Sequence, residues 1–320
     1  MRAVIKAVEY FLPAKILTNE DLSRQFPEWG VDKIADKTGI EERHVASEQE
    51  CSSDLAFAAA QKLFASSSVR PDDIDYILFC TQTPDYPLPS AACLLQHRLG
   101  IPNSAGALDI NLGCSGYIYG LSLCKALIES KQVRNILFLT GETYTKLLAP
   151  QDKTVRTIFG DAGAATLLQA AIGDAGVGPV VFGTDGSGGK NLICTRGGFR
   201  QAGEAQDLFM NGPEIFNFTL KIVPGTVEKL LVNSGLARDD VALYIFHQAN
   251  RYMLDHLRKK LALPSERFFV SMAHCGNTVS CSIPIALKDA IDAGRLKSGD
   301  RLMLVGFGVG YSWGGTLIQW

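Results

Sequence analysis

Two distant stretches of this 320-residue chain end alike. TIFGDAGAATLLQA, from Thr157 to Ala170, and GFGVGYSWGGTLIQW, from Gly306 to Trp320, each run from a glycine-rich turn into an apolar strand. Ahead of each, short apolar runs alternate with helix-like segments, the pattern of an α/β architecture. Together these features read as two similar α/β halves facing each other, an N-terminal half over 1–172 and a C-terminal half over 173–320.

Within the first half, strands are expected near the start of the chain up to a turn at Pro13, and at Tyr76–Cys80, Ala107–Asn111 and Asn135–Thr140. Helices are expected over Ser52–Phe64, by its alanines and apolar spacing, and in the segment ending at Gly100. Thr18 with Asp21 offers a capping box for a short helix. The charged stretch WGVDKIADKTGIEERHVASEQE reads as a surface excursion, with His44 exposed, and His97 reads as a surface residue. A Gly/Ser hairpin is expected at Gly186–Gly189. In the second half, a long helix with a break near Pro224 precedes a buried strand ending at His247. Next come a charged helix, a strand–turn–helix around Asn277, and two closing strands.

Composition narrows the function. A formal net charge of −2 gives no reason to expect nucleic acid or an anionic membrane as partner. Arg2 and Lys6 are not followed by a long apolar run, and no uncharged apolar stretch is long enough to span a bilayer, so a cytoplasmic protein is expected. The eight cysteines form no CxxC pair and read as reduced thiols, neither disulfides nor a metal site. The glycines match no phosphate loop: GxxxxGK is absent, and GDAGAA leads into a strand where a dinucleotide fingerprint would open a helix.

One cysteine stands out. In GALDINLGCSGYIYGLSLCKAL, a short strand, a turn at Gly113 and an apolar helix follow one another, with Cys114 at the top of the turn. Helix N-terminal amides there favour a thiolate, so the placement suits a nucleophile. The plainer reading is a small buried apolar residue. His247 and Asn277 also fall just beyond expected strands, where open α/β folds place ligands. His274, in the same turn as Asn277, competes with His247, and His256, in a charged helix, is a weaker candidate.

With these residues placed, the chain closely resembles the β-ketoacyl-acyl-carrier-protein synthase III family of the thiolase superfamily. NLGCSGYIYGL resembles its nucleophile motif, HQAN at 247–250 its histidine motif, and GNT at 276–278 carries its asparagine. IFGDAGAA and GFGVGYSWG resemble its two glycine-rich connections, all in family order across essentially the whole chain. The resemblance implies a five-layered α-β-α-β-α fold and a homodimer. It implies Cys114, His247 and Asn277 as catalytic residues, and the backbone N–H groups of Cys114 and Val309 as an oxyanion hole. Leu88, Met210, Gly212 and Phe216 match acyl-pocket positions, with Leu88 reaching the pocket across the dimer. Lys33, Lys153, Arg251, Tyr252 and Arg258 match the carrier-binding surface, Lys33 and Lys153 standing where housekeeping members carry tryptophan and arginine around the coenzyme A adenine.

The implied reaction is a decarboxylating Claisen condensation of an acyl thioester with malonyl-acyl-carrier protein, in fatty-acid or related acyl and polyketide biosynthesis. No cofactor or metal is implied beyond phosphopantetheine-borne substrates on acyl carrier protein or coenzyme A. Acyl transfer to a non-malonyl acceptor is the alternative within the same fold. A non-catalytic acyl-binding subunit is the alternative outside enzymes. Hydroxymethylglutaryl-type and chalcone-type synthases are less well matched by these residues.

Overall fold

The computed structural model describes residues 1–200 and 206–320. Ten of the described strands pair into two five-stranded sheets, and the others form two short two-stranded ribbons. The first holds β1 (Arg2–Phe11), β2 (Tyr76–Cys80), β3 (Gly106–Ile110), β4 (Asn135–Glu142) and β5 (Ala162–Ala171). The second holds β6 (Gly176–Thr184), β7 (Leu243–Phe246), β8 (Phe268–Phe269), β9 (Arg301–Gly308) and β10 (Ser312–Gln319). Their orders correspond strand for strand: β1-β5-β4-β2-β3 in one, β6-β10-β9-β7-β8 in the other. In each, the three strands at the β3 or β8 side run parallel, and the remaining two pairings are antiparallel.

Six helices complete the layers. Between the sheets lie α3 (Gly116–Glu129) and α6 (Ser282–Asp292), packing Ile118, Leu121, Ile283 and Leu287 against Leu78 and Phe138 on one side and Ile245 and Leu304 on the other. Outside the first sheet, α1 (Ser52–Ser66) and α2 (Ala91–Arg98) bury Ala56, Leu63 and Leu95 against Ile77, Phe79 and Leu139. Outside the second, α4 (Gly212–Ser234) and α5 (Arg251–Lys260) bury Val227, Leu230, Leu254 and Leu257 with Tyr244, Phe246 and Val305. This is the five-layered α-β-α-β-α arrangement. Strands buried on both faces explain why their sequences read as continuous apolar runs instead of alternating ones.

Three local expectations are corrected. The charged stretch after Trp29 is not merely surface: it forms a helix, Val31–Thr38, and a strand, Glu42–Val45, and it buries Ile34, Ile40 and Arg43 completely. Arg43 is held by the Thr157 carbonyl and by Asn19 Oδ1 at 2.5 Å, with no acidic partner among the described residues. His44 is half-buried, with Nδ1 2.5 Å from the Pro13 carbonyl. Residues Gly186–Asn191 make a 3-10 turn, not a hairpin, because the following Leu192–Ile193 pairs with Phe209–Met210 while β6 pairs with β10. Finally, α4 runs unbroken through Pro224. A proline leaves the carbonyl four residues earlier without its amide donor. Here that carbonyl, of Leu220, accepts from Lys260 Nζ at 2.9 Å.

Candidate active site

Cys114 follows β3 and stands just before α3. Asn277 follows β8, the strand that takes the place of β3 in the second sheet, and α6 comes after it. His247 follows β7, its backbone N–H donating to the Val305 carbonyl at 2.8 Å. The strand ends of both halves thus converge, and all three side chains line one cleft. Ile158, Phe159, Leu192, Met253 and Phe307 supply its apolar walls.

The backbone around Cys114 is tight. A side chain at Gly308 would meet the Cys114 sulfur at 3.0 Å, and one at Gly306 would meet its carbonyl oxygen at 2.7 Å. Glycine at these positions lets β9 pass against the turn. The backbone N–H groups of Cys114 and Val309 stand close enough to the sulfur to favour its thiolate. Yet the thiol is not the resting thiolate that a helix N-terminus suggests. Burial, reinforced by the nearby Glu142 carboxylate, pushes the thiol well above its ordinary range and outweighs the two N–H groups. The fully buried Glu142 is itself pushed up to about 8 by burial. It accepts from Ser280 Oγ at 2.7 Å, from the Gln82 N–H at 3.1 Å and from Thr83 Oγ1 at 3.3 Å.

His247 is buried, and burial alone lowers its pKa to about 3, so the imidazole is neutral at pH 7. Nδ1 stands 2.7 Å from Ser282 Oγ, and the ring lies edge-on to Phe307. Asn277 is fixed on both sides. Its N–H donates to the Ile158 carbonyl at 2.9 Å and its carbonyl accepts from the Gly160 N–H at 3.1 Å. Its Oδ1 accepts from the Val279 N–H at 2.9 Å, and Nδ2 donates to the Ala249 carbonyl at 3.3 Å. Nδ2 therefore keeps a second hydrogen for the cleft.

The competing histidines stand elsewhere. His274 Nε2 is 3.8 Å from Asp289 Oδ2, beside Tyr10. His256 lies on α5 against Phe216 and Tyr252. Neither lines the Cys114 cleft.

Of the expected acyl-pocket residues, Met210 and Gly212 line the cleft. Phe216 does not. It faces a neighbouring outer groove and packs on Tyr252, while Ile215, one residue earlier, takes the wall position. Leu88 stays away from the cleft of its own chain and is 80% exposed.

The cleft continues outward into a larger opening of about 570 Å³ that shares Ile158, Met210, Gly212 and Asn250 with it. Tyr252 lines this opening, with Lys37 and Trp29. Lys33 does not line it. Its Nζ lies 5.3 Å from the Trp29 ring, whose other neighbour is Lys37 at 5.2 Å. Lys153 is paired with Glu28 at 2.6 Å, Arg251 with Asp255 at 3.1 Å, and Arg258 donates to the Leu263 carbonyl at 3.2 Å. Trp29 at the rim is a residue that linear register alone sets aside. The helix Val31–Thr38 brings it there.

No group of three or more metal-ligating side chains occurs among the described residues, and none of their helices is long and apolar enough to cross a membrane.

Comparison with known proteins agrees with this geometry. Residues 108–186 match the family model for 3-oxoacyl-[acyl-carrier-protein] synthase III, and residues 231–320 match the model for its C-terminal region. The chain is 35% identical to a β-ketoacyl-[acyl-carrier-protein] synthase III of Caldanaerobacter subterraneus, an alignment covering 97% of this chain and 95% of that one. A crystal structure of a 3-oxoacyl-(acyl-carrier-protein) synthase III superposes with a TM-score of 0.97 at 48% identity, covering both chains fully. That of a 3-oxoacyl-(acyl-carrier protein) synthase from Burkholderia xenovorans superposes at 0.94, with 38% identity, covering 99% of this chain and 94% of the other.

Proposed function

The chain belongs to the β-ketoacyl-acyl-carrier-protein synthase III family, and from that premise we propose how the cleft around Cys114 performs the family's decarboxylating condensation. The reaction joins an acyl thioester to malonyl-acyl-carrier protein in fatty-acid biosynthesis.

Cys114 is the nucleophile. Its sulfur attacks the carbonyl of the incoming acyl thioester, and the thiol proton leaves with the departing carrier thiol. The N–H groups of Cys114 and Val309, which converge on the sulfur, receive the oxyanion. In the second step, His247 Nε2 and Asn277 Nδ2 donate to the thioester oxygen of the malonyl group. Carbon dioxide departs, and the enolate carbon attacks the acyl-Cys114 carbonyl. The tetrahedral intermediate collapses, expelling the Cys114 thiolate, which takes a proton from solvent. The apolar walls of Phe159, Phe307 and Met253 exclude water that would protonate the enolate.

The observation that carries this reading is the convergence of Cys114, His247 and Asn277 on one cleft, with neutral donors facing the thiol. Phosphopantetheine enters through the outer opening past Trp29, Lys37 and Tyr252, from acyl carrier protein or coenzyme A. A homodimer fits the exposed Leu88 and Leu108, the latter on β3, an edge strand. Such a strand presents unpaired backbone groups to a second copy, and light scattering reads the mass directly. The halves 1–172 and 173–320 act as two lobes, one carrying the nucleophile and the other the enolate donors.

The test is intact-protein mass with acyl donors, followed by malonyl-carrier addition. An adduct on the wild type that is absent in Cys114→Ala, with carbon dioxide release and a β-ketoacyl product, supports the reading. An adduct without carbon dioxide release would favour transfer to another acceptor.

A further inference from the structure

A second cavity of about 320 Å³ adjoins the Cys114 cleft. Leu192 lines both, and Val309, whose N–H reaches the Cys114 sulfur, lines the second. Tyr144 closes one wall of it and belongs to the same buried cluster as Cys114. This cavity is more polar in its lining than the cleft, although Leu147, Leu192 and Leu208 give it apolar walls as well. Gln82, Asn111 and Tyr144 present amides and a phenol to it, with no Lys, Arg, Asp or Glu among the described residues.

Gln82 is held in place on two sides. Its backbone N–H donates to the Glu142 carboxyl at 3.1 Å. Its side-chain Oε1 accepts from the Tyr144 hydroxyl at 3.0 Å, and the Tyr144 ring is itself packed on Phe159. The side chain lies directly on the Cys114 turn, since a side chain at Gly113 would meet Gln82 Oε1 at 2.5 Å. Among the described residues the Gln82 NH₂ group has no hydrogen-bond partner, and Gln82 lines the cavity. The topology makes the placement systematic. Gln82 follows β2, and His247 follows β7, the strand in the same place of the second sheet. The two sheets therefore place one amide and one imidazole at corresponding strand ends of the two halves.

We propose that this cavity receives the acyl chain and selects neutral acyl groups carrying a hydroxyl or carbonyl oxygen over plain alkyl ones, with Gln82, oriented by Tyr144, as the selecting residue. The proposal rests on the reading of Cys114 as the acylated nucleophile. An alkyl chain entering the cavity strips water from the Gln82 amide and gives it no acceptor. An oxygen-bearing chain replaces the lost water. The absence of a lysine or arginine from the described lining disfavours a carboxylate-ended chain, which would be desolvated without a countercharge.

The experiment measures acylation of Cys114 by intact-protein mass, using N-acetylcysteamine thioesters in matched pairs. The pairs are butyryl with 3-hydroxybutyryl, and pentanoyl with 4-oxopentanoyl. In the wild type the oxygenated member of at least one pair is expected to acylate on the order of tenfold faster in kcat/KM. Gln82→Leu should bring that ratio to about one or invert it, which also removes any intrinsic difference in thioester reactivity. Tyr144→Phe, which keeps the ring and releases the amide, should give an intermediate ratio and covers the case in which Gln82→Leu fails to fold. Alkyl donors that label and condense as fast as oxygenated ones in the wild type would overturn the selection while leaving the condensing function intact. The same holds for a preference unchanged in both variants. Failure of every thioester to label Cys114 would overturn both readings.

Discussion

Ser282 Oγ lies 2.7 Å from His247 Nδ1 and 3.4 Å from the Gln248 backbone N–H. The hydroxyl can accept from Gln248 and still point its own hydrogen at Nδ1, and the proposed mechanism requires that arrangement. Nδ1 is then the acceptor and Nε2 carries the proton, which makes His247 a donor toward the cleft. Ser282→Ala removes that orientation. Carbon dioxide release from malonyl thioester should fall about tenfold, the kinetic equivalent of roughly one lost hydrogen bond. Cys114 acylation should stay within about twofold. Equal loss in both half-reactions would reject the orienting role. Because burial holds His247 down to about 3, no acid limb near the ordinary histidine value should come from this ring.

The proposed mechanism assigns His247 and Asn277 to the second half-reaction only. His247→Ala and Asn277→Ala should each leave a normal acyl-enzyme burst and lower condensation on the order of 10²–10³-fold. Burst amplitude by mass and product formation under saturating acyl donor separate the two steps. A burst lost in parallel with condensation would assign these residues to acylation instead.

The separation of these residues along the chain decides what could be seen in the sequence. Cys114 and His247 were legible because each follows an apolar strand run, a signal contained in a few adjacent residues. Asn277 was legible from its place beyond a strand and from the GNT of 276–278, where Gly276 takes a φ of 73° in the turn. Ser282, Glu142 and Gln82 were not, since their roles exist only once residues 35, 138 and 60 positions apart are brought together. Arg43 misled for the opposite reason. Its charge suggests solvent, but its guanidinium fork finds a carbonyl and an amide oxygen in the interior. Pro224 suggested a break because the partner that satisfies Leu220, Lys260, lies on another helix.

Glu142 couples the two halves: strand β4 carries it, while Ser280, on the turn after Asn277, donates to it. Burial raises its pKa to about 8, so the folded state keeps a proton that the unfolded chain releases near the ordinary glutamate value of 4.5. Stability from this group is full below that ordinary value and is lost as pH rises toward about 8, at roughly 1.4 kcal/mol per pH unit. Glu142→Gln does not titrate. The urea midpoint of the wild type relative to Glu142→Gln should therefore decline between about pH 5 and pH 8 and then level off. Parallel curves across that range would place the carboxylate ionised in the folded protein.

Arg43 braces the asparagine turn. Its guanidinium donates to the Thr157 carbonyl and Asn19 Oδ1, and a side chain at Gly276 would meet Arg43 Cγ at 3.1 Å. Arg43→Met keeps most of the volume but strands both acceptors in the interior. A loss of about 2–4 kcal/mol in unfolding free energy is expected from urea titration. Condensation should fall more than acylation in the folded fraction, because the disturbed backbone is that of Asn277. A change within about 0.5 kcal/mol would mean that water reaches those acceptors.

The charge at the cleft mouth offers the last test. Helix α5 gathers Arg251, Arg258, Lys259 and Lys260, but most of this charge is engaged within the chain. Asp255 pairs with Arg251 and not with Lys259, Arg258 donates to the Leu263 carbonyl, and Lys260 reaches Leu220. Reversing those residues would confound docking with helix stability. Lys37 is different: it lines the outer opening and contacts only the face of Trp29 among the aromatic and acidic neighbours described. An acidic carrier approaching this opening would meet Lys37 at its rim, and a surface charge of this kind acts through association rate and salt dependence. Lys37→Glu should raise KM for malonyl-carrier protein by about three- to tenfold at low salt, with the difference shrinking as ionic strength rises. Turnover of a short malonyl-pantetheine thioester should change little. An equal rise in KM for both substrates would locate the effect in the pantetheine channel beside Trp29, and no rise for either would move the carrier contact off this rim.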